Sequence, residues 1–280
     1  MSTTTAAGAT RPVSVSGDAL VMVTRPETGV AVVTMSKPSA RNALSLAMIA
    51  ELHRAFETLS AERSVSAIIL AADGPAFCAG HDLKELTARR GDADKGRAFF
   101  KETMDACAAL MLSIVRSPKP IIAAVHATAT AAGCQLVATC DLAVAADTAK
   151  FCTPGVNIGL FCSTPMVALA RNVPRKRAME MLLLGDLIGA AEAAEYGLVN
   201  RVVPHDAVMS SALELARRIA VKSPATVAIG KQAFYAQIEQ PLAEAYTYAA
   251  DVMVENMLFR DAEEGIGAFI EKRKPEWKGC

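Results

Sequence analysis

Ile121-Ile-Ala-Ala-Val-His-Ala-Thr-Ala-Thr-Ala-Ala-Gly-Cys-Gln-Leu-Val-Ala-Thr-Cys140 is a run of 20 residues without a single Asp, Glu, Lys or Arg. A second such run, Phe151–Ala170, follows ten residues later. Either is long enough to span a bilayer, but their content argues against it. Thr128, Thr130, Gln135 and Thr139 interrupt the first, and Pro154, Asn157 and Pro165 the second. Both are rich in Ala and Thr rather than Leu. The first reads as a buried strand over Ile121–Val125, a loop of small residues, and a helix from near Ala132 to Thr139. The second reads as another buried strand–loop–helix segment. A charge-free interior that contains loops is where a dry active site can sit.

The same alternation extends outward. Leu20–Thr24 and Val30–Thr34 predict strands separated by a turn at Pro26–Gly29. Ser45 is placed to cap a helix whose apolar positions Leu46, Ile49, Leu52, Phe56 and Leu59 keep helical spacing. Val65–Leu70 is a short buried strand closed by Asp73-Gly74-Pro75. A helix follows over about 96–116, ended by Pro118. Leu142–Ala146 and Val199–Val203 read as strands, and Val173–Leu184 and Ala190–Tyr196 as helices. After Pro204 every segment is helical: about 206–221, 225–238, 242–258 and 262–272. The chain is therefore α/β with a helical C-terminal part. The expected division is a flexible tail over 1–18, a core over 19–205 and a helical region over 206–280. The tail has no apolar core, so it is no secretory signal, and it has too little Arg for a typical transit peptide.

Composition narrows the function. Of 280 residues 52% are hydrophobic but only 5% aromatic, so the core is built from Ala, Val, Leu, Ile and Met. Lys and Arg number 29, as do Asp and Glu, which argues against a nucleic-acid binder needing a basic surplus. No membrane role is expected. Seven cysteines, an odd number without a CxxC pair, read as buried thiols of a reducing compartment. His53, His81, His126 and His205 are scattered without ligand spacing, and no metal is expected. The home expected is the cytoplasm, with the mitochondrial matrix as the alternative.

Two segments carry candidate chemistry. Phe77-Cys-Ala-Gly-His-Asp-Leu83 and Ala131-Ala-Gly-Cys-Gln-Leu136 each place small residues just past a buried strand, where a helix can start. A helix start exposes unpaired N–H groups and the positive dipole end. Two such groups aimed at one oxygen would stabilise an enolate or a tetrahedral oxyanion.

These segments, with Arg41-Asn-Ala-Leu44, Pro120–His126, Cys140-Asp-Leu142, Ala191–Leu198 and Gly267–Pro275, resemble the enoyl-CoA hydratase/isomerase (crotonase) superfamily over about residues 20–275. Ala131–Leu136 and Pro154–Pro165 are most similar to its enoyl-CoA hydratase domain-containing protein 3 group. The resemblance implies a crotonase (ClpP/crotonase-like) spiral of ββα units with a helical C-terminal trimerisation region. It implies an acyl-CoA thioester as small-molecule substrate, coenzyme A entering only as part of that substrate, no prosthetic group, and a homotrimer or a hexamer of paired trimers. The thioester oxygen would be held by the N–H groups of Ala79 and Ala132. Ala40, His81, Asp82 and Leu83 would line the CoA arm. Phe269 and Lys274 would approach the adenine or 3′-phosphate, of this or a neighbouring subunit.

The chain departs from the family where hydration needs two glutamates. The first aligns with Gln135 and the second with Gly155, and neither side chain can move a proton. Hydratase activity is therefore expected to be weak or absent. The alternatives are another acyl-CoA reaction (hydrolysis, decarboxylation or retro-aldol cleavage) assisted by His81 or Asp82, or a non-catalytic acyl-CoA-binding subunit. Asn157, Ser163, Cys134, Cys152 and Cys162 are lesser candidates whose ordinary role is local bonding or packing.

Overall fold

A computed structural model describes residues 19–280; the tail expected over 1–18 lies outside the described residues. The described residues begin with β1 (Val21–Glu27) and β2 (Gly29–Met35), an antiparallel pair. The predicted turn over Pro26–Gly29 is shorter than expected. Pro26 stays in β1, because an edge strand tolerates a missing N–H, and the register shifts between Thr24 and Glu27 to accommodate it. Next come α1 (Leu46–Ala61), β3 (Val65–Ala72), α2 (Leu83–Ala88) and α3 (Arg97–Arg116). Ser45 does cap α1: its Oγ accepts the Met48 N–H at 3.2 Å. The central run supplies β4 (Ile121–Val125), β5 (Ala129–Thr130) and α4 (Ala132–Thr139). Then follow β6 (Leu142–Ala146), β7 (Lys150–Cys152), α5 (Pro165–Asn172), α6 (Arg175–Leu184), β8 (Ile188–Gly189), α7 (Ala190–Glu195) and β9 (Arg201–Val203). The chain closes with α8 (Val208–Ala220), α9 (Pro224–Gln237), α10 (Leu242–Met257) and α11 (Arg260–Ile270).

The main sheet has the order β1-β2-β3-β4-β6-β9, parallel from β2 onward, and β5-β7-β8 form a second, smaller sheet. Parallel strands covered on both faces read as unbroken apolar runs, and all five residues of β4 are buried. α8 lies across β2, β3, β4 and β6, while α1 packs on α3 and α4 on α5. The strands predicted at 121–125 and 142–146 and the helix at 132–139 have the expected bounds. Two elements start late. Pro174 holds α6 back to Arg175, and Asn200 delays β9 by pairing with Ala143 through both its backbone and its side chain.

The second charge-free run is not buried throughout. Ile158, Leu160 and Phe161 stand exposed in the loop before α5. No helix among the described residues is long and apolar enough to cross a membrane.

Candidate functional site

The two small-residue segments meet where β4 ends. The chain leaves β4, pairs briefly as β5 and turns at Ala131, whose N–H donates to the Cys152 carbonyl at 2.9 Å. Ala131 has φ 49° and ψ −118°, unusual for a residue with a Cβ. The turn points the first N–H of α4, that of Ala132, away from the helix, and it has no acceptor among the described residues. Gly133 fits α4 tightly onto the other segment, since a Cβ there would lie 2.3 Å from the Cys78 carbonyl oxygen.

Opposite this turn, Gly80 (φ +86°) sits against the start of α4. A Cβ at Gly80 would lie 2.8 Å from the Ala131 Cβ and 3.4 Å from the Ala132 nitrogen. The next residue, His81, forms an isolated parallel bridge with Leu44. In this bridge the Leu44 N–H donates to the Gly80 carbonyl (2.8 Å) and the Asp82 N–H to the Leu44 carbonyl (3.3 Å). The neighbours of His81 therefore make both bonds. Its own N–H is turned to the other side and has no acceptor among the described residues.

Ala79 is a correction. Its N–H donates to the Arg41 carbonyl at 3.1 Å and the residue is exposed, so this amide is already committed. The unpaired N–H beside Ala132 belongs to His81. Asp82 is engaged locally as well. Its Oδ1 accepts the Lys84 and Glu85 N–H groups at 2.9 and 3.2 Å as the cap of α2.

Asn42 organises the surrounding loops, a role that its sequence context alone does not announce. Wholly buried and at φ 52°, it accepts the Lys37 N–H at 2.8 Å. It also donates to the Asp73 and Ala76 carbonyls at 2.8 and 2.9 Å. The loop bearing Ala40 and Arg41 is thereby tied to the loop leading into Phe77. The one signal for it is the Asn in Arg41-Asn-Ala-Leu44, a residue type suited to the left-handed region.

Burial lowers the His81 imidazole pKa below its ordinary value, outweighing the opposing effect of the Leu44 backbone, and both ring nitrogens are buried without a partner. Gln135, on the first turn of α4, is 5% exposed and its Oε1 is buried and unpartnered. The thiols are poor nucleophiles: burial raises Cys152 to about 11, with neighbouring Cys162 adding to it, and raises Cys134 and Cys162 as well. Cys162 accepts the Gly155 N–H at 3.3 Å, and its Sγ lies 2.9 Å from where a Cβ on Gly155 would be. The room for a side chain at 155 is taken.

Gln135 also opens onto a cleft of about 580 Å³ between α3, α4, α5 and α9, walled by Met111, Val115, Val167, Tyr235 and Ile238. Its one lining carboxylate is Glu239, at the rim and paired with Arg171 at 2.7 Å. His81, Ala132 and Gln135 are brought together by the seating of Gly80 against the start of α4, while Ala40 adjoins Arg41, whose carbonyl holds the Ala79 N–H, and Leu83 opens α2 two residues past His81. Phe269 and Lys274 do not join them within this chain: Phe269 is 83% exposed on α11, which packs on α9 and α10, and Lys274 lies just beyond.

Comparison with known proteins gives the same picture. A family model described as enoyl-CoA hydratase/isomerase matches residues 25–280. The mitochondrial enoyl-CoA hydratase domain-containing protein 3 of Rattus norvegicus is 46% identical over 270 residues, 96% of this chain and 88% of that protein. A solved enoyl-CoA hydratase of Mycobacterium smegmatis superposes with a TM-score of 0.88 at 50% identity, covering 93% of this chain and 99% of that one. The human enoyl-CoA hydratase domain-containing protein 3 superposes with a TM-score of 0.87 at 46% identity, covering 92% and 100%. The expected crotonase-like fold, alternating β and α units before a helical C-terminal region, is borne out. The cytoplasmic home is contradicted: the rat, mouse, human, Xenopus laevis and Danio rerio relatives are all named mitochondrial.

Proposed function

Because the chain belongs to the enoyl-CoA hydratase/isomerase family, we propose that it binds acyl-CoA thioesters with the carbonyl oxygen between the backbone N–H groups of His81 and Ala132, and that it is a poor hydratase. The observation that carries this reading is the pair of unpaired N–H groups on adjoining segments. Donors fixed in place stabilise an oxygen that gains negative charge, at no reorganisation cost when the charge develops. Ala40 and Leu83 line the CoA arm.

Hydration is disfavoured on two grounds. The residues aligned with the family's glutamates are Gln135 and Gly155, and the carboxylate lining the cleft is paired with Arg171. An amide takes no proton near neutral pH. Crotonyl-CoA turnover tests this directly. We expect less than about a thousandth of an ordinary hydratase rate, since one acid–base group contributes roughly 10²–10⁴-fold; a comparable rate would refute the reading.

A second reading rests on His81. An imidazole that burial keeps largely unprotonated, and whose ring nitrogens make no hydrogen bond of normal geometry, is free to act as a base in another thioester reaction and to return the proton afterwards. His81→Ala keeps the backbone donor, so it should preserve acyl-CoA binding and abolish such turnover. Unchanged turnover would remove His81 from the chemistry.

An exposed apolar surface supports the assembly that the family resemblance implies. Leu242, Tyr246, Leu258, Phe269 and Ile270 of the C-terminal helical region are each more than 70% exposed, exposed apolar surface that suits a subunit interface. A homotrimer, or a hexamer of paired trimers, covers it and leaves Phe269 and Lys274 to act on a neighbour's CoA. Light scattering of the purified chain decides: a monomer at micromolar concentration would exclude this assembly.

A further inference from the structure

α9 buries no residue completely, yet with Ile238 just past its end it supplies one wall of the cleft through Phe234 and Tyr235. Its hold on the core is polar. The Lys231 ammonium, its side chain only 6% exposed, donates to the Ile114 carbonyl at 2.9 Å, the Lys119 carbonyl at 3.0 Å and Asp141 Oδ2 at 2.7 Å. Asp141 Oδ2 also accepts the Ile121 N–H at 2.7 Å, and its Oδ1 accepts the Tyr235 hydroxyl at 2.9 Å. An ion pair this enclosed is costly to break, because the partner left behind is an uncompensated charge.

The geometry links this anchor to the cleft. Lys231 and Tyr235, four residues apart, share one stripe of α9, and Ile238 follows just past its end. The facing wall, Met111 and Val115, comes from the last turns of α3, and the Ile114 carbonyl that Lys231 holds is in the same turns. The network therefore spans the two walls and sets their separation. At the inner end lies Gln135, one helical turn beyond Ala132.

We infer that Lys231, acting through Asp141 and Tyr235, is a positioning residue that fixes the width of this cleft and so selects thioesters whose apolar acyl chain extends beyond Gln135. The inference rests on the acyl-CoA reading of the site. Each methylene buried between apolar walls tightens binding by about fourfold, so the preferred class is medium- or long-chain acyl thioesters.

The test is calorimetric binding of acetyl-, butyryl-, octanoyl- and dodecanoyl-CoA to the full chain and to Tyr235→Phe and Lys231→Met. The parent should gain affinity from butyryl to octanoyl by at least about tenfold. Both variants should keep acetyl- and butyryl-CoA affinity within about twofold and lose most of the gain with length. An unchanged length dependence, or an equal loss for all four thioesters as a merely structural role predicts, would overturn the inference. Failure of the parent to bind any of the four thioesters would instead overturn the acyl-CoA reading, and the inference with it. Tyr235→Phe keeps the ring and removes one hydroxyl, so it decides the question if Lys231→Met does not fold.

Discussion

Ala131, at φ 49° and ψ −118°, holds a backbone conformation that glycine adopts at less cost. Its strain is compensated by the bonds it makes on either side, to Cys152 and from Gln135. Ala131→Gly should therefore stabilise the chain by about 1 kcal/mol, relief of strain exceeding the added freedom of the unfolded chain. Thermal unfolding checks this, and a lowered midpoint would show that the Ala131 Cβ packs productively against Gly80. Gly133→Ala has the opposite sign. Its Cβ would meet Cys78 backbone and side chain at 2.3–2.9 Å, so α4 must lift, at a cost of about 2–3 kcal/mol. Acyl-CoA binding should fall with it, because the Ala132 N–H rides on that turn. Asn42→Ala leaves the Lys37 N–H and the Asp73 and Ala76 carbonyls without their side-chain partner. We expect a loss of about 3 kcal/mol by denaturant titration.

At the scale of elements, α2 shows what the sequence does and does not reveal. Asp82 with Glu85 three residues on is a helix-start pattern, yet beside the small residues of 77–80 the same Asp82 and Leu83 read as ligand contacts, which hides the six-residue helix. Glu85 does not close the box; it accepts the Leu46 N–H at 3.0 Å and ties α2 to the start of α1. Asp82→Ala should cost about 1 kcal/mol of stability while leaving acyl-CoA affinity within about twofold. A tenfold weaker Kd would instead make Asp82 a ligand contact. β4, α4 and β6 are legible because uncharged runs bounded by Pro120 and Asp141 leave little choice of limits. The donor pair is only half legible. Ala132 follows from being first in a helix, a local property. Whether Ala79 or His81 offers the other N–H depends on Arg41 and Leu44, some 37 residues earlier in the chain, and no local pattern encodes that pairing. The Lys231–Asp141 pair is hidden for the same reason, its members lying 90 positions apart in the chain.

For the whole molecule, equal numbers of acidic and basic residues mask an uneven distribution. Most ion pairs lie at the surface, where each contributes little, while the enclosed charges are held by specific partners: Lys231 by Asp141, and Asp261 by the Ser223 hydroxyl and two backbone N–H groups. His81 shows in the pH dependence. Its folded pKa lies below the ordinary 6.5, chiefly through burial. Above about pH 6.5 neither folded nor unfolded chain carries a proton there, and His81 adds no slope. As the pH falls below that value the unfolded state takes up the proton first, so stability drops until the folded pKa is reached and levels off below it. The carboxylates held low by their partners, such as Glu264 at about 2 beside Arg273, lose their contribution at more acid pH. The window from about pH 6.5 to 5 therefore isolates histidine. Urea titrations at both ends should show the parent losing more stability than His81→Phe, which keeps the ring volume without the titration. Equal losses in the two proteins would mean that the folded imidazole titrates normally, and would take with them the picture of a neutral ring beside the thioester oxygen.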